Sequence, residues 1–324
     1  MKRSILLIAI AVLAARAVQA EVIKVAIIAP EGSTWANVMK EMADELSKAT
    51  SGRVKLDIYA GGVMGDEKVI VKKMEIGQVD AAGFTGRGLG EIYPAVRVLE
   101  LPFLFKDSSE VDMVVEKFMP DIKNAFASKG YEFLGWAEVG FVYIFSNKPV
   151  KRLADMNGVK MWMWQGDPLA ERMYKALGIV PVPLAIQDVL MALQTNMISG
   201  VYASPLGAVA MQWFTKTKYM IDLKLVNSIG GFVVTKRAIS RLSPEDAKIF
   251  RELAQRYMRR LVEMTRKENA DALNAIKGSG VEFIKIEEKD LREIVDRCKG
   301  VWSELAGTLY PKEWLDKVVS LLSR

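Results

Sequence analysis

Apolar positions along the chain switch repeatedly between the two-residue period of strands and the 3.6-residue period of helices. Residues 22–28 form an apolar, β-rich run. Trp35, Val38, Met39, Met42 and Leu46 then follow at helical spacing, opened by Ser33 as cap and closed at Ser51-Gly52. Val54, Leu56 and Ile58 alternate as a strand, 66–76 reads as a helix stopped by Gly77, and 79–84 as another strand. This βαβαβ opening argues for a mostly parallel sheet covered by helices. A helix over about 109–128 and strands over 131–137 and 141–145 extend it.

A second alternating series begins after Lys148-Pro149. It holds a strand over 159–164, then a helix with Asp167 as N-cap, Pro168 at its first position and Gly178 past its end. Pro181-Val182-Pro183 starts a loop before a helix over 187–196, with a strand over 199–203 and a helix over 206–214 after it. Two successive α/β series in about 300 residues favour two lobes over one. We place lobe 1 at 21–139 plus 230–268 and lobe 2 at 140–229 plus 269–324. Ser243-Pro244-Glu245-Asp246 is a strong helix start, and no Pro or Gly interrupts 245–277. At 1.5 Å per residue that helix spans roughly 50 Å, enough to tie both lobes together. A strand over 281–286 and two amphipathic helices, the last opened by Pro311, finish the chain.

Charge first suggests an anionic partner, with 45 Lys plus Arg against 39 Asp plus Glu, a formal +6. The first twenty residues change that reading. Lys2 and Arg3 precede an apolar run from Ile5 to Ala15, and Val18-Gln19-Ala20 offers small residues of the kind a signal peptidase reads, so cleavage after Ala20 is expected. The run is shorter than the roughly 20 residues of a membrane span. Removing Lys2, Arg3 and Arg16 leaves 42 basic and 39 acidic residues, a charge of +3. With no Lys/Arg-rich tract, the mature chain reads as exported, periplasmic and without a nucleic-acid signature.

The candidate chemistry is limited by zero histidines, which removes imidazole as base or metal ligand. Gly-x-Ser-x-Gly is absent, and no Gly-Lys-Ser/Thr occurs. Gly86-Arg87-Gly88-Leu89-Gly90 lacks the dinucleotide-fingerprint spacing and reads as a flexible loop at a strand's carboxyl end, where open α/β sheets bind ligands. Asp66-Glu67, Glu245-Asp246 and Glu287-Glu288 sit at helix starts and read as caps. Cys298, the only cysteine, lies on an apolar helical face and reads as a buried small hydrophobe. Met161-Trp162-Met163-Trp164 is the most unusual segment. As a strand it sends both Met to one face and both Trp to the other. Three readings are open: a periplasmic Cu(I) carrier through Met161 and Met163, plain packing, or a Trp pair lining an apolar cleft. No enzyme and no cofactor are expected.

Several motifs, taken in order, resemble the periplasmic solute-binding subunit of TRAP transporters, the DctP family, over essentially the whole mature chain. They are Ser51-Gly52-Arg53-Val54-Lys55, Gly61-Gly62-Val63-Met64-Gly65-Asp66, Gly77-Gln78-Val79-Asp80, Tyr93-Pro94 and Leu101-Pro102-Phe103-Leu104-Phe105. Ala176-Leu177-Gly178, Pro181-Val182-Pro183, Ala192-Leu193-Gln194-Thr195 and Ser243-Pro244-Glu245-Asp246 complete the series. The resemblance implies two α/β lobes around a central cleft, joined by strands and a long helix. It further implies closure on a small-molecule ligand that is handed to a membrane permease. An arginine-poor subgroup, to which this chain looks similar, includes members that associate with tetratricopeptide-repeat proteins.

In most members an arginine in a Lys-Ile/Met-Arg-Val strand pairs with the ligand's carboxylate. Here Lys160-Met161 is followed by Trp162, Gly140-Phe141 by Val142 where relatives carry a second arginine, and Ser199-Gly200-Val201-Tyr202-Ala203-Ser204-Pro205 lacks a usual Glu and Asn. The resemblance with these departures implies a hydrophobic or amphipathic ligand enclosed by Trp35, Phe84, Trp136, Trp162, Trp164 and Tyr202, beside Val142. Thr85, Glu138, Gln165 and Ser204 are the expected polar anchors. Arg87 supports the rival, a small organic acid bound through its guanidinium or backbone groups.

Overall fold

The computed structural model describes residues 20–323. Apart from Ala20, the export segment expected at 1–20 lies outside the described residues. β1 (Glu21–Ile27), α1 (Thr34–Ala49), β2 (Val54–Tyr59), α2 (Glu67–Glu75) and β3 (Ala81–Thr85) form the βαβαβ opening, with β1 parallel to both β2 and β3. The Ser33 hydroxyl oxygen accepts from the Ala36 N–H at 3.3 Å and caps α1. The buried face of α1, Val38, Met39, Met42 and Leu46, packs with Ile23, Val25 and Val54. Each such fully buried side chain contributes about 1.5–3 kcal/mol relative to exposure.

α3 (Gly86–Ile92) begins where a flexible loop was expected. The glycines there serve close packing. A Cβ at Gly86 would lie 2.1 Å from the Glu100 carboxylate, and one at Gly88 2.3 Å from the Phe84 ring. α4 (Ser108–Ser128), capped by Asp107, leads into β4 (Tyr131–Ser146). β4 is one strand, not two. Its ladder shifts register between Phe133/Gly135, Glu138/Gly140 and Val142/Ile144, and these bulges break the alternation that the sequence shows.

The second series comprises β5 (Lys160–Met163), α5 (Pro168–Leu177), β6 (Val180–Pro183), α6 (Val189–Gln194), β7 (Gly200–Ala203) and α7 (Pro205–Ala210). β6 forms where a loop was expected. It is the sheet's outer strand, parallel to β5, and an edge tolerates the missing N–H groups of Pro181 and Pro183. Then follow β8 (Tyr219–Thr235), α8 (Lys236–Ile239), α9 (Pro244–Gly278), β9 (Glu282–Ile284), α10 (Glu288–Leu305) and α11 (Lys312–Leu321).

One sheet runs β2-β1-β3-β8-β4-β7-β5-β6, with β9 also on β8. The long antiparallel pair β4 and β8 passes through both halves. Gly230–Val234 of β8 pair with β3, whereas Tyr219–Ile221 pair with β9. This is the two-lobed α/β architecture, and α9, 35 residues long, packs against α1, β4 and α7. Among the described residues no helix is long and apolar enough to cross a membrane. Cys298 is buried on α10, and burial pushes its thiol up to about 12.

Candidate ligand-binding site

The ends of β1, β3, β5 and β7 and the middle of β4 converge on a cavity of about 380 Å³ between the two series. Alternation on β5 explains its main wall. Trp162 and Trp164 line the cavity, whereas Met161 and Met163 pack in a core with Ile144, Met173 and Leu177. Both thioethers are therefore placed as core side chains. Trp162 stacks on Tyr202 at 5.1 Å between ring centres, with Trp164 at 5.0 Å and Trp213 edge-on at 5.1 Å. Trp162 Nε1 donates to the Leu184 carbonyl at 3.0 Å and its own carbonyl accepts from the Tyr174 hydroxyl at 2.7 Å. The ring is thus fixed by bonds away from the cavity. Trp35 closes the opposite wall; its ring lies against Gly230, where a Cβ would approach it to 2.9 Å.

Polar groups on the wall are few and mostly engaged. The Thr85 hydroxyl donates to Glu67 at 2.7 Å, and Ser204 Oγ accepts from the Gly207 N–H at 3.1 Å, capping α7. The Thr34 hydroxyl donates to the Glu268 carboxylate. Ser228 donates to Glu100 at 3.0 Å. Thr265, buried on α9, lines the cavity, and its buried hydroxyl has no hydrogen-bond partner among the described residues. Among the described residues Glu268 is the only charged side chain on this wall.

Arginines lie next door, in a smaller cavity of about 50 Å³. Arg97 is buried between Glu100 at 2.6 Å and Asp167 at 3.0 Å. Burial opposes its charge, but Asp167 and Glu100 outweigh that and raise the guanidinium above its usual range. Arg87 pairs with Glu91 and donates to the Gln165 carbonyl at 3.1 Å. Both cations are neutralised by the protein itself.

Residues 25–308 match the family described as bacterial extracellular solute-binding protein, family 7, named DctP. The chain belongs to this family. A solute-binding protein of Verminephrobacter eiseniae is 28% identical over 216 residues, 66% of this chain and 64% of that relative's length. The 2,3-diketo-L-gulonate-binding periplasmic protein of Escherichia coli is 25% identical over 251 residues, covering 76% of this chain and 75% of the relative. A crystal structure of a TRAP periplasmic solute-binding protein from Xanthobacter autotrophicus with bound β-D-galacturonate superposes with a TM-score of 0.86 at 20% identity, over 93% of this chain and 99% of that one. The resemblance drawn from the motifs therefore stands. This family 7 member is a TRAP-type solute-binding protein and not an enzyme.

Of the residues expected at the site of this family 7 protein, Trp35, Thr85, Val142, Trp162, Trp164, Tyr202 and Ser204 are brought together on the cavity wall. Five lie elsewhere. Phe84 is fully buried in the core, because alternation on β3 turns it away from its neighbour Thr85. Trp136 packs partly buried against that same core. Glu138 is buried in an ion pair with Arg266, whose Nε lies 3.1 Å from it. Gln165 is exposed and contributes only its carbonyl, to Arg87, which itself faces the smaller cavity.

Sequence reasoning missed Trp213, Thr34, Thr265 and Glu268. Trp213 lies in a short turn after α7 where a continuous helix was expected. Thr265 and Glu268 are one turn apart on α9, in a polar stretch whose pattern does not separate a cleft-facing residue from a solvated one.

Proposed function

We propose that this protein captures an apolar or amphipathic small molecule in the cleft between its lobes, in the periplasm, and delivers it to the membrane permease of a TRAP transporter. One observation carries the ligand class: among the described residues the cavity wall holds five large aromatic side chains and no cation. A carboxylate placed there would be desolvated without a partner, at a cost of several kcal/mol. Apolar surface placed there is instead stabilised by about 25 cal/mol per Å². The galacturonate-bound Xanthobacter protein shares the fold, but Trp162 here stands where the motif of most family members has an arginine. An organic acid held through Arg87 is disfavoured, because Arg87 already pairs with Glu91 and Gln165.

The lobes are proposed to meet at 139/140 and 229/230. The register shift between Glu138 and Gly140 on β4 and the adjacent Gly230-Gly231 on β8 support a bending point there. The test of the ligand class is to denature protein purified from its native host and identify released small molecules by mass spectrometry. An aromatic or aliphatic compound lacking a carboxylate is the expected result. Stoichiometric recovery of a sugar acid or dicarboxylate would overturn the reading.

A further inference from the structure

Glu268 is an unusual side chain for this wall. The cavity is otherwise apolar or neutral, yet a carboxylate borders it that forms no ion pair among the described residues. The basic neighbours on α9 are committed elsewhere: Arg266 to Asp112 and Glu138, and Lys267 to Asp271. Thr34 donates to one oxygen of this half-buried carboxylate, and among the described residues no hydrogen bond reaches the other. A second, independent feature lies one turn away on the same helix. Thr265 is 1% exposed, borders the cavity, and its hydroxyl is unpartnered. A buried hydroxyl left unpaired costs about 1–3 kcal/mol, so its retention points to a partner that arrives with the solute.

We infer that the solute carries a protonated nitrogen, which donates to the Glu268 carboxylate and the Thr265 hydroxyl while its apolar part lies against Trp162, Tyr202 and Trp213. The inference rests on the apolar-cleft reading above and adds the sign of the solute's charge. A cation also suits aromatic walls, because the negative face of an indole ring attracts it where an anion is repelled. Charge and ring faces thus select in the same direction.

The test uses three probes that share a phenyl ring and chain and differ in head group: 2-phenylethylammonium, 2-phenylethanol and 3-phenylpropionate. Affinities are read by calorimetric titration of the full mature protein at neutral pH. The ammonium probe is expected to bind about tenfold more tightly than the alcohol, with the carboxylate weakest. Glu268→Gln should bring the ammonium-to-alcohol ratio to about one, and Thr265→Val should lower ammonium affinity as well. Thermal unfolding of both variants checks that they fold, and the ratio within one variant is insensitive to partial loss of active protein. Equal binding of ammonium and alcohol to the native protein, or an unchanged ratio in Glu268→Gln, overturns the role of Glu268 and leaves the apolar cleft standing. Tightest binding of the carboxylate, or binding of none of the three, overturns both.

Discussion

Arg97 and Asp167 meet at 3.0 Å although they belong to different halves of the chain. Arg97 sits in the turn after α3, and Asp167 caps α5, its carboxylate accepting from the Leu169 and Ala170 N–H groups at 3.1 and 3.4 Å. Both side chains are buried, and Glu100 makes the cluster a triad whose second carboxylate also accepts from the Ile229 N–H at 2.9 Å. The contact therefore joins the two α/β series beneath the ligand cavity. Asp167→Asn keeps a competent cap but removes one charge. It should destabilise the protein by about 3 kcal/mol, and Arg97→Met, which strands two carboxylates, by at least as much. Urea unfolding at neutral pH measures both; a loss under about 1 kcal/mol for either would show that the cluster is solvated in solution.

Glu67 sets a pH dependence. It is fully buried at the start of α2 and accepts from the Thr85 N–H at 2.6 Å and the Thr85 hydroxyl at 2.7 Å. Burial outweighs both bonds and pushes its carboxyl up from 4.5 to about 7. The folded state thus keeps a proton that the unfolded chain releases near 4.5. The contribution of this group to stability is fully present below about pH 4.5 and is lost as pH rises through about 7. Glu67→Gln, which preserves an acceptor for the Thr85 N–H, should flatten the melting temperature across that window relative to the native protein. Parallel curves for the two proteins from pH 4.5 to 7.5 would contradict the raised value.

Legibility of the fold followed local signals. The long helix α9 was plain because Ser243 and Pro244 mark its start and nothing breaks it before Gly278. β8 was not foreseen at all. Ile221, Leu223 and Leu225 do alternate with Asp222 and Lys224, and Phe232-Val233-Val234 is apolar, but Asn227-Ser228 and Gly230-Gly231 break the pattern between them, and the continuous strand comes from pairing with β3, β4 and β9 together. α3 was hidden because glycine is a poor helix former, and only the tertiary neighbours Glu100 and Phe84 explain the glycines. At the site, Trp162 and Trp164 were found by strand alternation. Phe84 and Thr85 were both expected at the ligand, but alternation lets only one of two strand neighbours face the cavity, and on β3 that is Thr85.

The two readings of the cleft separate on Arg87 and Trp162. Arg87 is spent on Glu91 and the Gln165 carbonyl, so Arg87→Ala should change affinity for the extracted native solute by less than about threefold. Trp162 is the hub of the aromatic wall, touching Trp164, Tyr202 and Trp213. Buried aromatic anchors of this kind typically carry 2 kcal/mol or more, so Trp162→Ala should cost about thirtyfold or more. Tryptophan fluorescence titration gives both values. The opposite ranking, a large loss at Arg87 and a small one at Trp162, would favour an anionic solute.

The proposed bending point makes its own prediction at Gly140 and Asn269. Gly140 follows the β4 bulge with φ +101°, a conformation that side chains rarely adopt. A Cβ there would also come within 2.6 Å of Asn269 Nδ2. That amide donates to the Val139 carbonyl at 3.0 Å and to the Thr265 carbonyl at 3.0 Å, while its oxygen accepts from the Leu206 N–H at 3.0 Å. One side chain on α9 thus holds the bulge of β4 and the start of α7 in fixed relation beside the cavity. Gly140→Ala suffers backbone strain and displaces this amide, and should cost about 2 kcal/mol of stability. Asn269→Ala leaves the backbone free but releases both segments. It should therefore raise amide hydrogen exchange around Val139 and Leu206 with little change at α1, whose packing it does not touch. Uniform exchange changes over the whole chain, or none at Val139 and Leu206, would mean that Asn269 does not hold the junction.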